Sequence, residues 1–203
     1  MGNAVRVAAL LGLLFVIRAA DPAGAADSAP ATPPRFVDNG DGTATDTTTG
    51  LMWEIKLPGG DCTRCAEAGF TWTAGSNAPD GTAFTEFLDV LNYRCSDEKT
   101  RCVKPEDCTG IGNGLCGHAG YHDWRLPTET ELRALLLDDP CSRKPCIDPS
   151  FPGPVHPVGH WTSTAHARRA DLARGVSLGT GFVGEGPKTQ KARVLAVRGL
   201  PRE

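Results

Sequence analysis

Residues 119–132 read AGYHDWRLPTETEL, and the second half of this stretch specifies where a helix begins. Thr128 and Glu131 have the spacing of a capping box, in which the threonine hydroxyl accepts a hydrogen bond from a free N–H of the first turn and the glutamate reaches back. Pro127 stands directly before this box, as is common at a helix start. The sequence therefore predicts a helix from about 129 to 137. Its inward-facing residues are predicted to be Leu132, Leu135 and Leu136.

Upstream of this stretch, residues 82–94 predict another helix. Four apolar residues fall at positions i, i+3, i+4 and i+7, which places them on one face of a helix. They are Phe84, Phe87, Leu88 and Leu91. We interpret this face as core.

The remaining regular structure has a β pattern. Residues 35–46 predict a hairpin, because Asn39-Gly40 and the following Asp-Gly supply the positive φ angles that tight reversals need. Further strands are predicted at 51–54, 160–164, 175–178, 182–183 and 191–199, the last with Ala192, Val194 and Ala196 alternating against Arg193, Leu195 and Val197. Strands, two helices and then strands indicate an α+β fold with a mostly antiparallel sheet.

The composition limits the class of protein. A chain of 203 residues is about one domain long. Its 24 glycines and 16 prolines indicate a turn-rich fold, and no heptad or Gly-X-Y run is present. The net charge of −3 argues against a general nucleic-acid binder, which needs a basic face.

The N-terminus predicts export. Residues 1–25 have the pattern of a signal peptide: Arg6 precedes an apolar run at 7–17, and a small-x-small cleavage site follows. That run is too short to cross a bilayer. Residues 26–34 are a Pro/Ala-rich tether, and 35–203 are predicted to form one domain. We expect a secreted, periplasmic or cell-surface protein with no membrane insertion after cleavage.

Eight cysteines in a secreted chain predict disulfides. Six of them lie between Cys62 and Cys116, in two insertions at about 57–80 and 95–117 that are poor in large aliphatic residues and are predicted to bury little core. Eight cysteines allow 105 pairings, and the sequence does not choose among them. The only pair we single out is Cys141 with Cys146, which a small loop separates.

Two alternatives for the cysteines were weighed. Cys62-Thr-Arg-Cys65 has the spacing of a thioredoxin-like redox motif, but it follows Pro-Gly-Gly-Asp and no helix pattern comes next. Zinc bound by Cys62, Cys65, His118 and His122 has the right ligand types at the wrong spacing. A disulfide framework is favoured over both.

No catalytic or metal site is predicted. Asp38, Asp41 and Asp46 do not keep the register of a calcium loop, because glycines occupy the third and fifth positions, so a turn role is favoured. His160 and Ser163 have an odd spacing, which puts them on opposite faces of a strand. The other histidines, His118, His122, His156 and His166, share no periodicity. We predict a non-enzymatic protein without a cofactor.

Five motifs in order carry a resemblance to a known family. They are RFVDNGDGT (35–43) with TD (45–46), TGLMW (49–53), AGYHDWRLPT (119–128) with EL (131–132), IDPSF (147–151) with WTST (161–164), and VRG (197–199). Together they resemble the Lcl C-terminal domain family over roughly 35–199. The resemblance implies a C-type-lectin-like fold, in which two helices flank a small twisted antiparallel sheet with long irregular loops.

Members of that family are typically bacterial secreted, periplasmic or surface proteins, and the domain also caps collagen-like adhesins, where it implies glycan binding and trimerisation. This chain has no collagen-like stalk, so its oligomeric state stays open. It also carries the two Cys-rich insertions, which lie outside the family pattern, and it lacks a Glu-Pro-Asn-type sugar-binding tripeptide.

Three tryptophans of the motifs, Trp53, Trp124 and Trp161, are predicted to be core anchors with paired N–H groups, and Arg125 is predicted to satisfy a carboxylate or carbonyls. The alternative is that Trp124 and Trp161 are exposed platforms for a sugar.

The function we predict is a secreted, non-enzymatic binding module that recognises a cell-surface glycan or a protein through the loops 57–80 and 95–117. An enzyme akin to formylglycine-generating enzymes, with thiol or metal chemistry, and a purely structural envelope protein are the alternatives. A basic patch is possible near the C-terminal strands. Its candidate members are Arg168, Arg169, Arg174, Lys188, Lys191 and Arg193.

Overall fold

The computed structural model describes residues 33–137 and 146–199. The predicted signal peptide, 1–25, lies outside the described residues, as does most of the predicted tether, 26–34. Every helix and strand described below belongs to the unit Pro34–Glu203.

Nine short strands form three antiparallel sheets. The strands are β1 (Phe36–Asp38), β2 (Thr43–Asp46), β3 (Met52–Glu54), β4 (Phe70–Thr71), β5 (Gly159–Ala165), β6 (Leu172–Ser177), β7 (Val183–Pro187), β8 (Lys191–Ala192) and β9 (Val197–Arg198). One sheet has the order β1-β2-β3-β9, a second pairs β4 with β8, and a third has the order β5-β6-β7. The prediction of mostly antiparallel strands is thus confirmed, but three small sheets stand where one was predicted, and the helices are few and short.

The first predicted helix is present but irregular. A π-helical turn, Ala83–Phe87, runs directly into α1, Leu88–Tyr93. Phe87 and Leu91 are fully buried, while Phe84 and Leu88 pack against the same core cluster with part of their surface exposed. The predicted apolar face is therefore the core-facing side of this segment.

The second predicted helix is shorter than expected. The capping box is present, with Thr128 and Glu131 bonded reciprocally, but α2 spans only Glu129–Ala134. Leu136 instead forms a β-bridge with Ile147. The backbone of 136–137 thus pairs with a later segment of the chain, and this ends the helix before the predicted 137.

The predicted last strand, 191–199, is wrong as a single strand. It is divided into β8 and β9, and Arg193 between them pairs with β5 in a parallel bridge. The predicted alternation is present, but both faces are buried. Val194 and Ala196 belong to one cluster of buried residues, and Leu195 and Val197 belong to another. Since this segment passes between core clusters, both of its faces are covered.

Two apolar clusters fill the core. The first joins the β1-β2-β3-β9 sheet to α2 and includes Phe36, Trp53 and Leu132. The second packs around α1 and includes Trp124 and Trp161, together with Phe70 and Trp72 from the first insertion.

The first insertion therefore buries two large aromatic rings, Phe70 and Trp72, each 5% exposed. The prediction that 57–80 contributes little core was wrong. It counted aliphatic residues and overlooked these two aromatic side chains.

Candidate ligand-binding cleft

A cleft of about 480 Å³ lies between the β5-β6-β7 sheet and the chain at 190–193. This chain segment follows β7 through a turn in which the Gln190 N–H donates to the Pro187 carbonyl. It then runs back beside β5, where the Trp161 N–H donates to the Arg193 carbonyl at 2.8 Å. The cleft is thus enclosed by a continuous stretch of chain from β7 to β8.

Glycines form the floor of this cleft. In the sheet register Gly175 on β6 lies opposite Trp161 on β5 and opposite Gly184 on β7. Since alternate residues of a strand share a face, Gly186 and Gly159 lie on the same side. All of these residues line the cleft.

The glycines of the floor differ in what lies above them. A Cβ at Gly184 would lie 2.7 Å from the Phe182 ring, and one at Gly186 would lie 3.2 Å from the Trp161 ring, so the rings rest directly on backbone. A Cβ at Gly159 would meet nothing within 4 Å. Gly159 therefore faces open space in the cleft.

The two aromatic rings differ in exposure. Trp161 is 4% exposed, and its Nε1–H donates to the Phe70 carbonyl at 3.0 Å, which fixes the ring in the core. Phe182 is 70% exposed. An exposed phenyl ring next to a flat glycine surface is a platform on which a flat apolar ligand face can stack.

Polar groups line the wall formed by 190–193. Lys191 is exposed, and the Nε of Arg193 is buried with no hydrogen-bond partner in the described part of the chain. The carboxylate of Glu185 is already 2.8 Å from His166 Nε2. Arg193 therefore has a buried donor without a partner, and one of its terminal nitrogens lies close to Gly69, which is not part of the cleft lining.

His160, whose backbone lines the cleft, is a core residue. Burial lowers its pKa to about 3, so the ring is neutral near pH 7. Its Nδ1–H donates to the Val158 carbonyl at 2.9 Å. Ser163 instead donates to the Pro127 carbonyl, which agrees with the prediction that no Ser–His pair forms here.

The central motif, 119–132, connects the start of α2 to β9; we call it the structural joint. Arg125 donates to both carboxylate oxygens of Glu131, at 2.8 and 2.6 Å, and its backbone pairs with Val197 of β9. The bidentate pair raises the pKa of Arg125. Burial alone would raise the pKa of Glu131, but hydrogen bonds from Arg125 and Thr128 lower it. The predicted role of Arg125 is confirmed.

The family model of the Lcl C-terminal domain matches residues 42–198, which include this joint and every strand of the cleft. The chain belongs to the Lcl C-terminal domain family. The comparison with curated proteins returns no match.

The three motif tryptophans of this Lcl C-terminal domain are buried: Trp53 is 1% exposed, Trp124 is 3% exposed and Trp161 is 4% exposed. Trp124 donates its Nε1–H to the His118 carbonyl. Trp53 Nε1 has no hydrogen-bond partner in the described residues, so the predicted N–H pairing holds for two of the three rings. The idea of Trp124 and Trp161 as exposed sugar platforms was wrong.

Within the domain the six cysteines of the insertions are paired with one another. The disulfides are Cys62–Cys65, Cys95–Cys108 and Cys102–Cys116. Cys146 is also disulfide-bonded, but its predicted partner, Cys141, lies outside the described residues and that pairing stays a prediction.

The metal alternatives do not survive this arrangement. Cys62 and Cys65 are bonded to each other, and both histidines of the proposed zinc set are hydrogen-bonded to backbone: His118 Nε2–H to the Gly42 carbonyl and His122 Nδ1–H to the Asn92 carbonyl. The sulfurs of Cys95, Cys102 and Cys108 do meet, but all three are in disulfides.

The aspartates of the hairpin serve turns. Asp38 accepts from the Gly40 N–H at 2.8 Å, and Asp41 accepts from the N–H and hydroxyl of Thr43. Arg35 forms an ion pair with Asp46 at 2.7 Å. Burial alone would raise the pKa of Asp46, but its hydrogen bonds, led by Arg35, lower it. These roles agree with the turn interpretation.

Ion pairs neutralise part of the predicted basic patch. Arg169 is paired with Asp171 and Arg174 with Glu129, each at 2.8 Å. Lys188 is 4% exposed, with its Nζ 2.7 Å from the Asn77 carbonyl. Of the six candidates, Lys191 and Arg193 line the cleft.

A second cleft, of about 210 Å³, lies between the two insertions and is lined by Arg64, Ser96, Glu98 and Asn113 among others. The predicted use of these loops for ligand contacts stays a prediction.

Next to the second cleft is a buried charge cluster that the sequence did not indicate. The Glu54 carboxylate is fully buried and lies 3.2 Å from Lys56 Nζ and 3.4 Å from Arg64 Nε.

Sequence reasoning also missed Gly159 and Phe182. The alternating glycines Gly184 and Gly186 were the available signal, since glycine at every second residue of a strand leaves one face without side chains.

No helix in the described residues is both long and apolar enough to cross a membrane.

Proposed function

We propose that this chain is a secreted, non-enzymatic binding module of bacterial origin, with a C-type-lectin-like arrangement, and that it binds a cell-surface glycan in the cleft beside β5-β6-β7. The observation that carries the proposal is the exposed Phe182 ring on a glycine floor, facing polar groups on the opposite wall. The α+β build with small sheets, short helices and long disulfide-linked loops supports the fold assignment.

The chemistry of the cleft fits a sugar. A pyranose ring has an apolar face that can lie on a phenyl ring and hydroxyls that need directed polar partners. Phe182 supplies the first, and Gln190 and Lys191, which also line the cleft, are the candidates for the second. Because a Cβ at Gly159 would meet nothing within 4 Å, a flat ligand can approach the backbone closely there.

The enzyme alternative would first need a disulfide to be reduced. Thiol chemistry of the formylglycine-generating kind requires a reduced cysteine, and each cysteine in the two described ranges, 33–137 and 146–199, is in a disulfide. A structural envelope protein remains as the outcome to expect if the cleft binds nothing.

The test is to screen the mature chain on an array of cell-surface glycans and to measure hits by calorimetry. Gly159→Leu should abolish binding without lowering the melting temperature, because its side chain enters empty space. Phe182→Ala should weaken binding about tenfold, which corresponds to ~1.4 kcal/mol. Val103→Ala is the matched control, since Val103 is 79% exposed and lies in the second insertion.

Retention of full affinity in Gly159→Leu would show that the ligand binds elsewhere and would move attention to the cleft between the insertions. Absence of any glycan or protein ligand for the folded chain would favour the structural role.

A further inference from the structure

The three disulfides whose two cysteines both lie in the described residues are of two kinds. Cys62–Cys65 closes a loop with a sequence separation of only 3, whereas Cys95–Cys108 and Cys102–Cys116 have separations of 13 and 14. The four cysteines of the second insertion are between 0% and 2% exposed. Cys62 is partly exposed, and its partner Cys65 is buried.

We infer that Cys62–Cys65 is a reversible thiol–disulfide exchange site, at which the thiolate of an external thiol attacks the sulfur of Cys62. This goes beyond the proposed function and does not depend on it. Exchange requires that the attacking sulfur reach one sulfur of the disulfide. Among the three described disulfides, Cys62 is the accessible member, and the other two disulfides are shielded by burial.

The chemistry balances with a thiol as reductant. A first thiolate forms a mixed disulfide with the Cys62 sulfur, and Cys65 leaves as a thiolate and takes up a proton. A second thiol then attacks the mixed disulfide, so that two thiols become one external disulfide and the protein gains two S–H groups. Re-oxidation reverses the same steps with an external disulfide as oxidant.

The loop is held in place without its disulfide. The Leu57 N–H donates to the Arg64 carbonyl at 3.0 Å, and the Ala66 N–H donates to the Leu57 carbonyl at 2.8 Å. The Cys65 N–H donates to the Cys62 carbonyl at 3.0 Å. Because these backbone bonds do not involve sulfur, the reduced cysteines stay close together and the disulfide can form again.

A hydrogen-bond acceptor is also present for the reduced form of Cys65. The Pro58 carbonyl lies 3.5 Å from Cys65 Sγ, so a Cys65 thiol has an acceptor where it stands.

The experiment exposes the folded chain to increasing reduced glutathione and, in a parallel arm, to a reduced thioredoxin-type dithiol protein. Free thiols are then alkylated and located by peptide mass spectrometry. We expect Cys65 to be alkylated, and Cys62 to be either alkylated or linked to glutathione, at a thiol concentration about tenfold or more below that needed for the cysteines of 95–117.

Reaction with glutathione would identify a small thiol as sufficient, and reaction with the dithiol protein alone would identify a protein partner. Simultaneous alkylation of all three disulfides, or alkylation of Cys62 and Cys65 last, in both arms would overturn the inference.

Two variants keep the test independent of folding. Treated with oxidised glutathione, Cys65→Ser should form a mixed disulfide on Cys62 and release reduced glutathione, whereas Cys62→Ser, which leaves the buried cysteine, should not. A melting curve on each variant separates loss of exchange from loss of fold.

Discussion

The two insertions solve the same problem by different means. Residues 95–117 are ordered from within, since the pairs Cys95–Cys108 and Cys102–Cys116 interleave and their four sulfurs form a small core with Ile111 packed against it. Residues 57–80 are ordered from outside, because they place aromatic rings in the main core and an arginine on a buried carboxylate.

The difference shows what each kind of loop needs. A loop without large side chains gains order chiefly through cross-links that restrict its unfolded chain. A loop that contributes Phe70 and Trp72 is fixed by burial, and Trp72 Nε1–H also donates to the Thr162 carbonyl at 2.9 Å. Loss of a contact with the core should therefore disturb 57–80, and loss of a disulfide should disturb 95–117.

The largest effect is expected for Glu54→Gln. The substitution leaves Lys56, which is 5% exposed, without its charged partner, and a buried ion pair broken on one side costs about 3–5 kcal/mol. Burial lowers the pKa of Lys56 and Glu54 raises it, so Lys56 should lose its proton more readily in the variant. Urea denaturation measures the loss.

The control is Glu54→Gln combined with Lys56→Met, which removes the buried charge as well. The double variant should recover most of the stability. A single variant as stable as the parent chain would show that charge does not hold the first insertion in place.

The next effect is expected from the disulfides. Removal of Cys102–Cys116 by a double serine substitution should lower the free energy of unfolding by about 3 kcal/mol, because the bond closes a loop of 14 residues. The same change at Cys62 and Cys65 should cost about 2 kcal/mol, since the closed loop is far shorter. Guanidinium denaturation of both variants compares them, and the reverse order would contradict the comparison.

Local patterns predicted the parts of this fold that depend on neighbours in sequence. The capping box located the start of α2 because Thr128 and Glu131 bond to each other within one turn. The Asn39-Gly40 reversal located β1 and β2 for the same reason. The end of α2 depends on Ile147, eleven residues after Leu136, and no local pattern contains that pairing.

The candidate site was beyond the sequence because it depends on register between distant strands. Trp161, Gly175 and Gly184 meet only once β5, β6 and β7 are aligned. The charge cluster is similar, since Arg64 reaches Glu54 only after the first insertion folds back over β3. The disulfide pairing was also open, because 105 connectivities are equally compatible with the spacing.

A smaller effect is expected for Lys188→Met. Lys188 Nζ donates to the Asn77 carbonyl at 2.7 Å and lies 4.1 Å from the centre of the Trp72 ring, so it fastens the tip of the first insertion. Methionine keeps the packing but loses both interactions, and we expect a loss of about 1–2 kcal/mol. Hydrogen exchange at residues 73–80 should quicken, while Lys191→Met, at an exposed lysine, should change neither measurement.

The smallest effect is expected from acid, and it acts on turns of both insertions. Hydrogen bonds from Ser76, Ala74 and Thr73 lower the pKa of Asp80 to about 2, and those from Thr100 and Lys99 lower the pKa of Asp97. A carboxyl group whose folded pKa lies below its unfolded value stabilises the fold above the unfolded value, near 3.9, and this stabilisation is lost as the pH falls toward the folded value.

The turn at 73–80 should therefore keep its amide protection at pH 4 and lose it progressively as the pH approaches 2, because protonated Asp80 accepts these hydrogen bonds poorly. NMR titration of the Asp80 carboxyl carbon and of the Ala74 amide follows both events. Asp80→Asn should already show quickened exchange at pH 6 in this turn and leave the turn at Asp97 unchanged. If the Asp80 carboxyl titrates near 4 instead, the turn does not depend on its charge, and the first insertion is held by Trp72, Lys188 and the Glu54 cluster alone.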